Sequence, residues 1–252
     1  MRVLLLTDSL GCPREETNVS DTWVDRILRK WSGKEVNFYT YCVHGLSASR
    51  IDVEYLREIQ PDIIIMQIGI VDACRRALGK YEFEIVKRIP WMGNVVKKFC
   101  GKYHYVLSAV RNVHYCSRTR FFKVVSQICE ESIGEVFFLK IALPGSDLVK
   151  KTYNVEKDVY AYNSIVGTIP KLKVVDPYGN RNPDTFLLSD GHHLNPLGNE
   201  LLYKTVDDII YRDVISMNGI RNNVIFCGFD EVDKNYLLTK NFTFSCWFIF
   251  EK

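Results

Sequence analysis

The chain has 252 residues, 47% hydrophobic and 25% charged, which is enough to bury one substantial core and argues against a disordered chain. A formal net charge of only +3 argues against a protein whose main ligand is a nucleic-acid backbone. Its eight cysteines are scattered singly without a Cys-x-x-Cys pair, so they read as reduced, buried thiols and not as a disulfide framework.

Residues 3–7 form a short apolar run that predicts a buried first strand. The run is too short for the apolar region of a secretory signal and Asp8 ends it; no stretch reaches the length of a transmembrane span, so a cytoplasmic location is expected. Residues 21–31 place Trp23, Ile27, Leu28 and Trp31 at helical spacing, and residues 36–41 predict a second strand. A short helix over 53–59 is stopped by Pro61. The continuous apolar run 62–68 then fits a strand at the centre of a parallel sheet covered on both faces. Strands over 136–141 and 172–175 and helices over 156–166 and 197–211 complete an α/β fold with a five-stranded parallel sheet.

Ligands in such a sheet bind beyond the carboxyl ends of the strands. Four segments gather there: Ser9 after strand one, Gly45 after strand two, Gly69 to Asp72 after strand three, and Asp190-Gly191-His192-His193 after strand five. A serine hydroxyl needs a base to take its proton and a carboxylate to fix that base's tautomer. Asp190 and His193 are three residues apart and so face the same way on a turn, leaving one ring nitrogen of His193 free to address Ser9. Taken alone, an Asp-Ser pair after a strand more often caps a turn. His192 and His193 side by side suit a metal poorly, because neighbouring side chains seldom point at one ion and no Cys or third His lies at ligand spacing; neither a metal nor a cofactor is expected.

These segments resemble the blocks of the SGNH/GDSL hydrolase family. Asp8-Ser9-Leu10 matches the first block, with Thr7 where glycine is usual; Gly45 in His44-Gly45-Leu46-Ser47 corresponds to the second-block glycine; Asp190-Gly191-His192-His193 followed by Leu-Asn-Pro-Leu-Gly matches the last. The resemblance spans residues 1–212 and implies a flavodoxin-like three-layer α/β/α sandwich. It also implies a serine hydrolase acting on esters, with Ser9 as nucleophile, His193 as base, Asp190 as its orienting acid, and the amides of Ser9 and Gly45 as oxyanion donors. Asp8, Gly69 and Asp72 would order the loops around it. The third block departs from the family: its usual Gly-x-Asn-Asp reads Gly69-Ile70-Val71-Asp72, so the oxyanion asparagine is replaced by Val71. Another polar group takes its place, or two amides suffice, or the protein binds glycans without catalysis.

Residues 80–125 hold ten Lys or Arg against Glu82 and Glu84, a net +8, with Phe99, Tyr103 and Tyr105 interleaved. They read as the solvated faces of helices or as a basic, substrate-selecting insert that draws an anionic ester. Residues 213–252 are β-prone, with Phe242, Phe244, Cys246, Phe248 and Phe250 alternating, which predicts an extension packed on the domain or on a second copy in a homo-oligomer. The expected substrate is an O-acyl group, specifically O-acetyl, on a carbohydrate. An O-acetyltransferase using the same triad on a polysaccharide sugar is the alternative enzyme.

Overall fold

The computed structural model describes residues 1–216 and 224–227. In chain order the strands are β1 (Arg2–Thr7), β2 (Asn37–Cys42), β3 (Ile63–Gln67), β4 (Glu135–Leu139), β5 (Leu172–Val175) and β6 (Val224–Cys227). The helices are α1 (Trp23–Trp31), α2 (Val53–Ile59), α3 (Ile70–Ala73), α4 (Lys80–Arg88), α5 (Pro90–Lys102), α6 (His104–Arg111), α7 (Arg118–Glu131), α8 (Ser146–Lys151), α9 (Val155–Val166) and α10 (Pro196–Ser216). All strand pairs are parallel, in the order β5-β4-β3-β1-β2-β6, so the five expected strands are present and β6 adds to the edge beyond β2.

The apolar runs explain the strand order. Val3 to Leu6 and Ile63 to Met66 are buried on both faces, which suits the two central strands, whereas β2 buries only Phe38, Thr40 and Cys42 on one side of its pleat. Helices α1 and α10 pack together in one layer, tied by Arg26–Glu200 and Lys30–Asp207 ion pairs and by Trp31 Nε1 donating to Asp207. On the other face α7 packs against α2 and α9 through Phe121, Val125, Ile128 and Cys129. The chain runs from β1 outward to β2 and then crosses to β3 on the far side of β1. That reversal opens a crevice at the carboxyl ends of the central strands.

Element ends differ from the sequence expectation where side chains intervene. Helix α1 starts at Trp23 because the Thr22 hydroxyl accepts from Asp25 N, while Val19–Asp21 forms a separate 3-10 turn. Strand β4 stops at Leu139 because Asn163 takes over the backbone of Ile141, its Oδ1 accepting from Ile141 N and its Nδ2 donating to Ile141 O, both at 2.9 Å. The basic stretch 80–125 is divided. Helices α4 to α6 stand away from the sheet and leave Tyr81, Ile85, Val95, Phe99, Val106 and Val110 more than half exposed, while α7 belongs to the core. Cys12, Cys42, Cys74, Cys100, Cys116 and Cys129 are not in disulfides, and all but Cys100 are buried. No helix among the described residues is long and apolar enough to cross a membrane. The alternating run 241–250 lies outside the described residues.

Candidate active site

Strand β1 ends at Thr7, and the next residues turn tightly over the crevice. Asp8 caps the 3-10 turn Ser9–Gly11, its side chain accepting from Leu10 N at 3.0 Å, and Asp8 N donates to Gln67 O at the end of β3. This clamps Ser9, itself 6% exposed, at the junction of the two central strands. The Asp8 carboxyl is wholly buried with Oδ2 unpartnered, and desolvation pushes its pKa up to about 7 against the opposing bond from Leu10.

The last block closes on it from the other end of the chain. Ser9 Oγ lies 3.0 Å from His193 Nε2, and His193 Nδ1 lies 2.5 Å from Asp190 Oδ2. The backbone of His192 and His193 both donate to Asp190 Oδ1 at 3.0 Å, a turn made possible by Gly191 at φ +77, where a Cβ would come within 2.7 Å of Leu148 N. Desolvation raises the Asp190 pKa, but those two amides and the His193 ring outweigh it and hold the carboxyl well below the usual range. Desolvation and the neighbouring His192 lower the pKa of His193 to about 4, so its ring is neutral at pH 7 and its Nε2 is an acceptor. Asp190, His192 and His193 bring one donor atom each within 4.8 Å of one another. To hold a cation, His193 would have to give up its bond to Asp190 or to Ser9.

The oxyanion donors expected from the sequence are backbone amides. Gly45 follows β2 at φ +65 and lines the crevice, and neither its N–H nor that of Ser9 has an internal hydrogen-bond partner among the described residues. Gly69 caps α3, accepting from Asp72 N and Ala73 N, and Asp72 Oδ2 accepts from Ala48 N at 2.8 Å, tying the loop after β3 to the loop after β2. Burial lifts the Asp72 pKa to about 6. Val71 is 8% exposed and presents an apolar wall where a side-chain amide was sought.

Ser9, Gly45, Val71 and His193 line one cleft of about 440 Å³, together with Arg14, Arg75, Arg76, His104, Lys151 and His192. No carboxylate is among its lining residues. Arg75 is neutralised by Asp158, Nε to Oδ2 at 2.6 Å. Arg76 forms no salt bridge among the described residues, though its charge acts on Asp72; its Nη2 donates to Val71 O at 2.9 Å, its guanidinium covers the Tyr115 ring and its Nε is buried without a hydrogen-bond partner. Arg14 Nη2 donates to His193 Nε2, the nitrogen that also faces Ser9. Sequence reading missed Arg14, Arg76 and His104. No spacing marks them, and the only cue for Arg14 was its place five residues after Ser9.

No sequence family and no curated protein matches the chain. Solved structures do. A carbohydrate esterase family 3 protein from Talaromyces cellulolyticus superposes with a TM-score of 0.54 at 14% identity, covering 86% of this chain and 99% of that one. An acetyl esterase mutant with acetate ion gives a TM-score of 0.53 at 13% identity, with 85% and 98% covered. A G-D-S-L family lipolytic protein from Veillonella parvula gives 0.50 at 14%, with 84% and 98% covered. Across nearly the whole length of those proteins, the chain shares the three-layer α/β fold of GDSL-type lipolytic proteins and esterases.

Proposed function

We propose that the protein is a serine carboxylic ester hydrolase that removes an O-acyl group, specifically O-acetyl, from a carbohydrate. The observation that carries this reading is the contact of Ser9 Oγ, His193 Nε2 and Asp190 in one line at the carboxyl ends of the central strands. Ser9 Oγ attacks the acyl carbonyl carbon as its proton passes to Nε2, and the carbonyl π pair moves onto oxygen, which the amides of Ser9 and Gly45 receive. Collapse of that oxyanion breaks the bond to the sugar oxygen, which leaves with the Nε2 proton. Water activated by the regenerated imidazole then attacks the acyl-serine and releases the acid. Asp190 holds Nδ1–H throughout and stabilises the transient imidazolium.

The cleft volume suits a short acyl chain on a monosaccharide or disaccharide, and the superposed structures include an acetyl esterase and a carbohydrate esterase. Arg14, Arg76 and Lys151 line the cleft without a salt bridge among the described residues and with no acid in the lining, which favours a sugar that carries a negative charge. Residues 1–212 hold all of this machinery, and Val224–Cys227 pair with β2 at the edge of the sheet.

Turnover of p-nitrophenyl acetate tests the reading. Ser9→Ala is expected to abolish hydrolysis, and a fluorophosphonate probe to modify the wild type at Ser9. Wild-type turnover by Ser9→Ala would assign the nucleophile elsewhere; a protein that neither turns over nor takes the probe would be a binder.

A further inference from the structure

The third-block asparagine is missing, and the side chain that reaches the reacting centre in its stead is Arg14. We propose that Arg14 is a catalytic residue, the third oxyanion donor, delivered from the loop after the nucleophile and not from the loop after β3. The proposal rests on the serine-hydrolase reading above.

Three observations converge on it. The Arg14 guanidinium lines the same cleft as Ser9 and Gly45 and donates through Nη2 to His193 Nε2. Its backbone is fixed close to the nucleophile, Arg14 N donating to Thr17 O at 3.1 Å and Thr17 N to Arg14 O at 3.0 Å around a tight turn at Glu15 and Glu16. It forms no salt bridge among the described residues, its charge acts on the buried Asp8 carboxyl, and its Nε is buried without an acceptor. A guanidinium placed so has donors to spare.

The electron bookkeeping at Nε2 says where those donors go. Nε2 has one lone pair, and in the free protein Ser9 Oγ and Arg14 Nη2 both address it. When Oγ attacks, Nε2 takes the hydroxyl proton and becomes a donor itself, so Arg14 loses its acceptor in the same step. At that moment a full negative charge appears on the former carbonyl oxygen, bonded to the carbon that Ser9 has just engaged. Arg14 transfers to that oxygen, relieving its repulsion by the new imidazolium and supplying the charge-assisted bond that Val71 cannot. When the oxyanion collapses and the leaving alkoxide takes the Nε2 proton, the lone pair returns and Arg14 goes back to it. The charged groups facing His193 are Asp190 and His192 on its own turn and Arg14 from the loop after β1; Arg76 faces His192 from the loop after α3.

The test is steady-state hydrolysis of uncharged p-nitrophenyl acetate by wild type, Arg14→Ala, Arg14→Lys and Arg14→Gln, with Glu15→Gln as an unaffected control on the same turn. Arg14→Ala is expected to lower kcat on the order of a hundredfold with KM within about threefold, to regain part of kcat with millimolar guanidinium, and to move the acid limb of kcat/KM to higher pH, because a cation beside His193 is gone. Arg14→Lys and Arg14→Gln should fall between. Circular dichroism melts check that each variant is folded, and Arg14→Lys decides the matter if Arg14→Ala is not. The proposal is overturned if Arg14→Ala keeps its kcat, or if the loss lies wholly in KM and only for an anionic ester, which would make Arg14 a substrate anchor. Wild-type activity in Ser9→Ala would instead remove the underlying reading, whatever Arg14 does.

Discussion

The proposed relay, Ser9, His193 and Asp190, is polar and hydrogen-bonded along its length, whereas the proposed oxyanion side has the backbone of Ser9 and Gly45 beside the apolar Ile70 and Val71. The relay joins two short local motifs: a capped turn after β1, and an acid and imidazole three residues apart. The oxyanion side depends on peptide orientation at Gly45 and on loops brought together across the sheet, through Asp72 and Ala48. One side is fixed by side-chain chemistry at short range, the other by backbone geometry at long range. The two should therefore respond differently to substitution.

The largest difference is expected at the relay. Asp190→Asn can present an N–H to Nδ1 and so invert the tautomer, which should cost kcat on the order of 10⁴-fold with the melting temperature little changed. His193→Ala should cost a similar factor, and Ser9→Ala combined with it should add nothing, because the groups act as a unit. Stopped-flow or end-point ester assays read both. An Asp190→Asn variant within tenfold of wild type would mean that the carboxylate, 40% exposed at its side chain, only shapes the turn.

The same contrast governs what the sequence disclosed. The central strands were legible because Leu4 to Leu6 and Ile63 to Met66 are apolar without interruption, and helices over 53–59 and 156–166 because their periodicity is regular. Ser9, Asp190 and His193 were legible as local motifs at strand ends. Arg14 was not, since nothing in Pro13-Arg14-Glu15-Glu16 tells that the side chain folds back over an imidazole 179 positions away. Nor could the sequence divide 80–125 into the exposed helices α4 to α6 and the buried α7, because cations occur at the same density in both while only α7 has Phe121, Val125 and Ile128 against the sheet.

A second contrast lies beneath the site, in two buried acids. Asp8 supports the nucleophile turn and Asp72 the oxyanion loops, with pKa values raised by burial to about 7 and about 6. A carboxyl whose folded pKa lies above its unfolded value binds its proton more tightly when folded, so it favours folding fully below the unfolded value near 3.8 and loses that contribution as pH rises through the folded pKa. Stability to urea should accordingly decline between about pH 4 and pH 7 from these two groups, and Asp8→Asn should flatten the upper part of the decline. An unchanged slope in Asp8→Asn would place the titration elsewhere. Asp72→Ala should act differently, leaving the buried Ala48 N–H without an acceptor at a cost of about 1–3 kcal/mol. It should also lower kcat by more than the lost stability accounts for, since the loop bearing Gly45 is released.

The smallest expected effect is the most discriminating. Val71→Asn restores a side-chain amide to the third-block position and would, in a hole with only two donors, raise kcat on the order of tenfold in any background. If Arg14 already supplies the third bond, the gain in wild type should be under about threefold, because the oxyanion has few lone-pair directions left to fill, and the tenfold gain should emerge only in Arg14→Ala. The cycle of four proteins measures that coupling directly, and the two positions are suited to it because Arg14 and Val71 line one cleft without a hydrogen bond between them. Since Val71 is 8% exposed, the new amide must find partners or cost about 1–3 kcal/mol, which melting curves will report separately from kcat. Equal gains in both backgrounds would leave the oxyanion side with its two amides alone and make Arg14 irrelevant to it; unequal gains would show that the apolar wall at Val71 is tolerated because a cation approaches from the relay side.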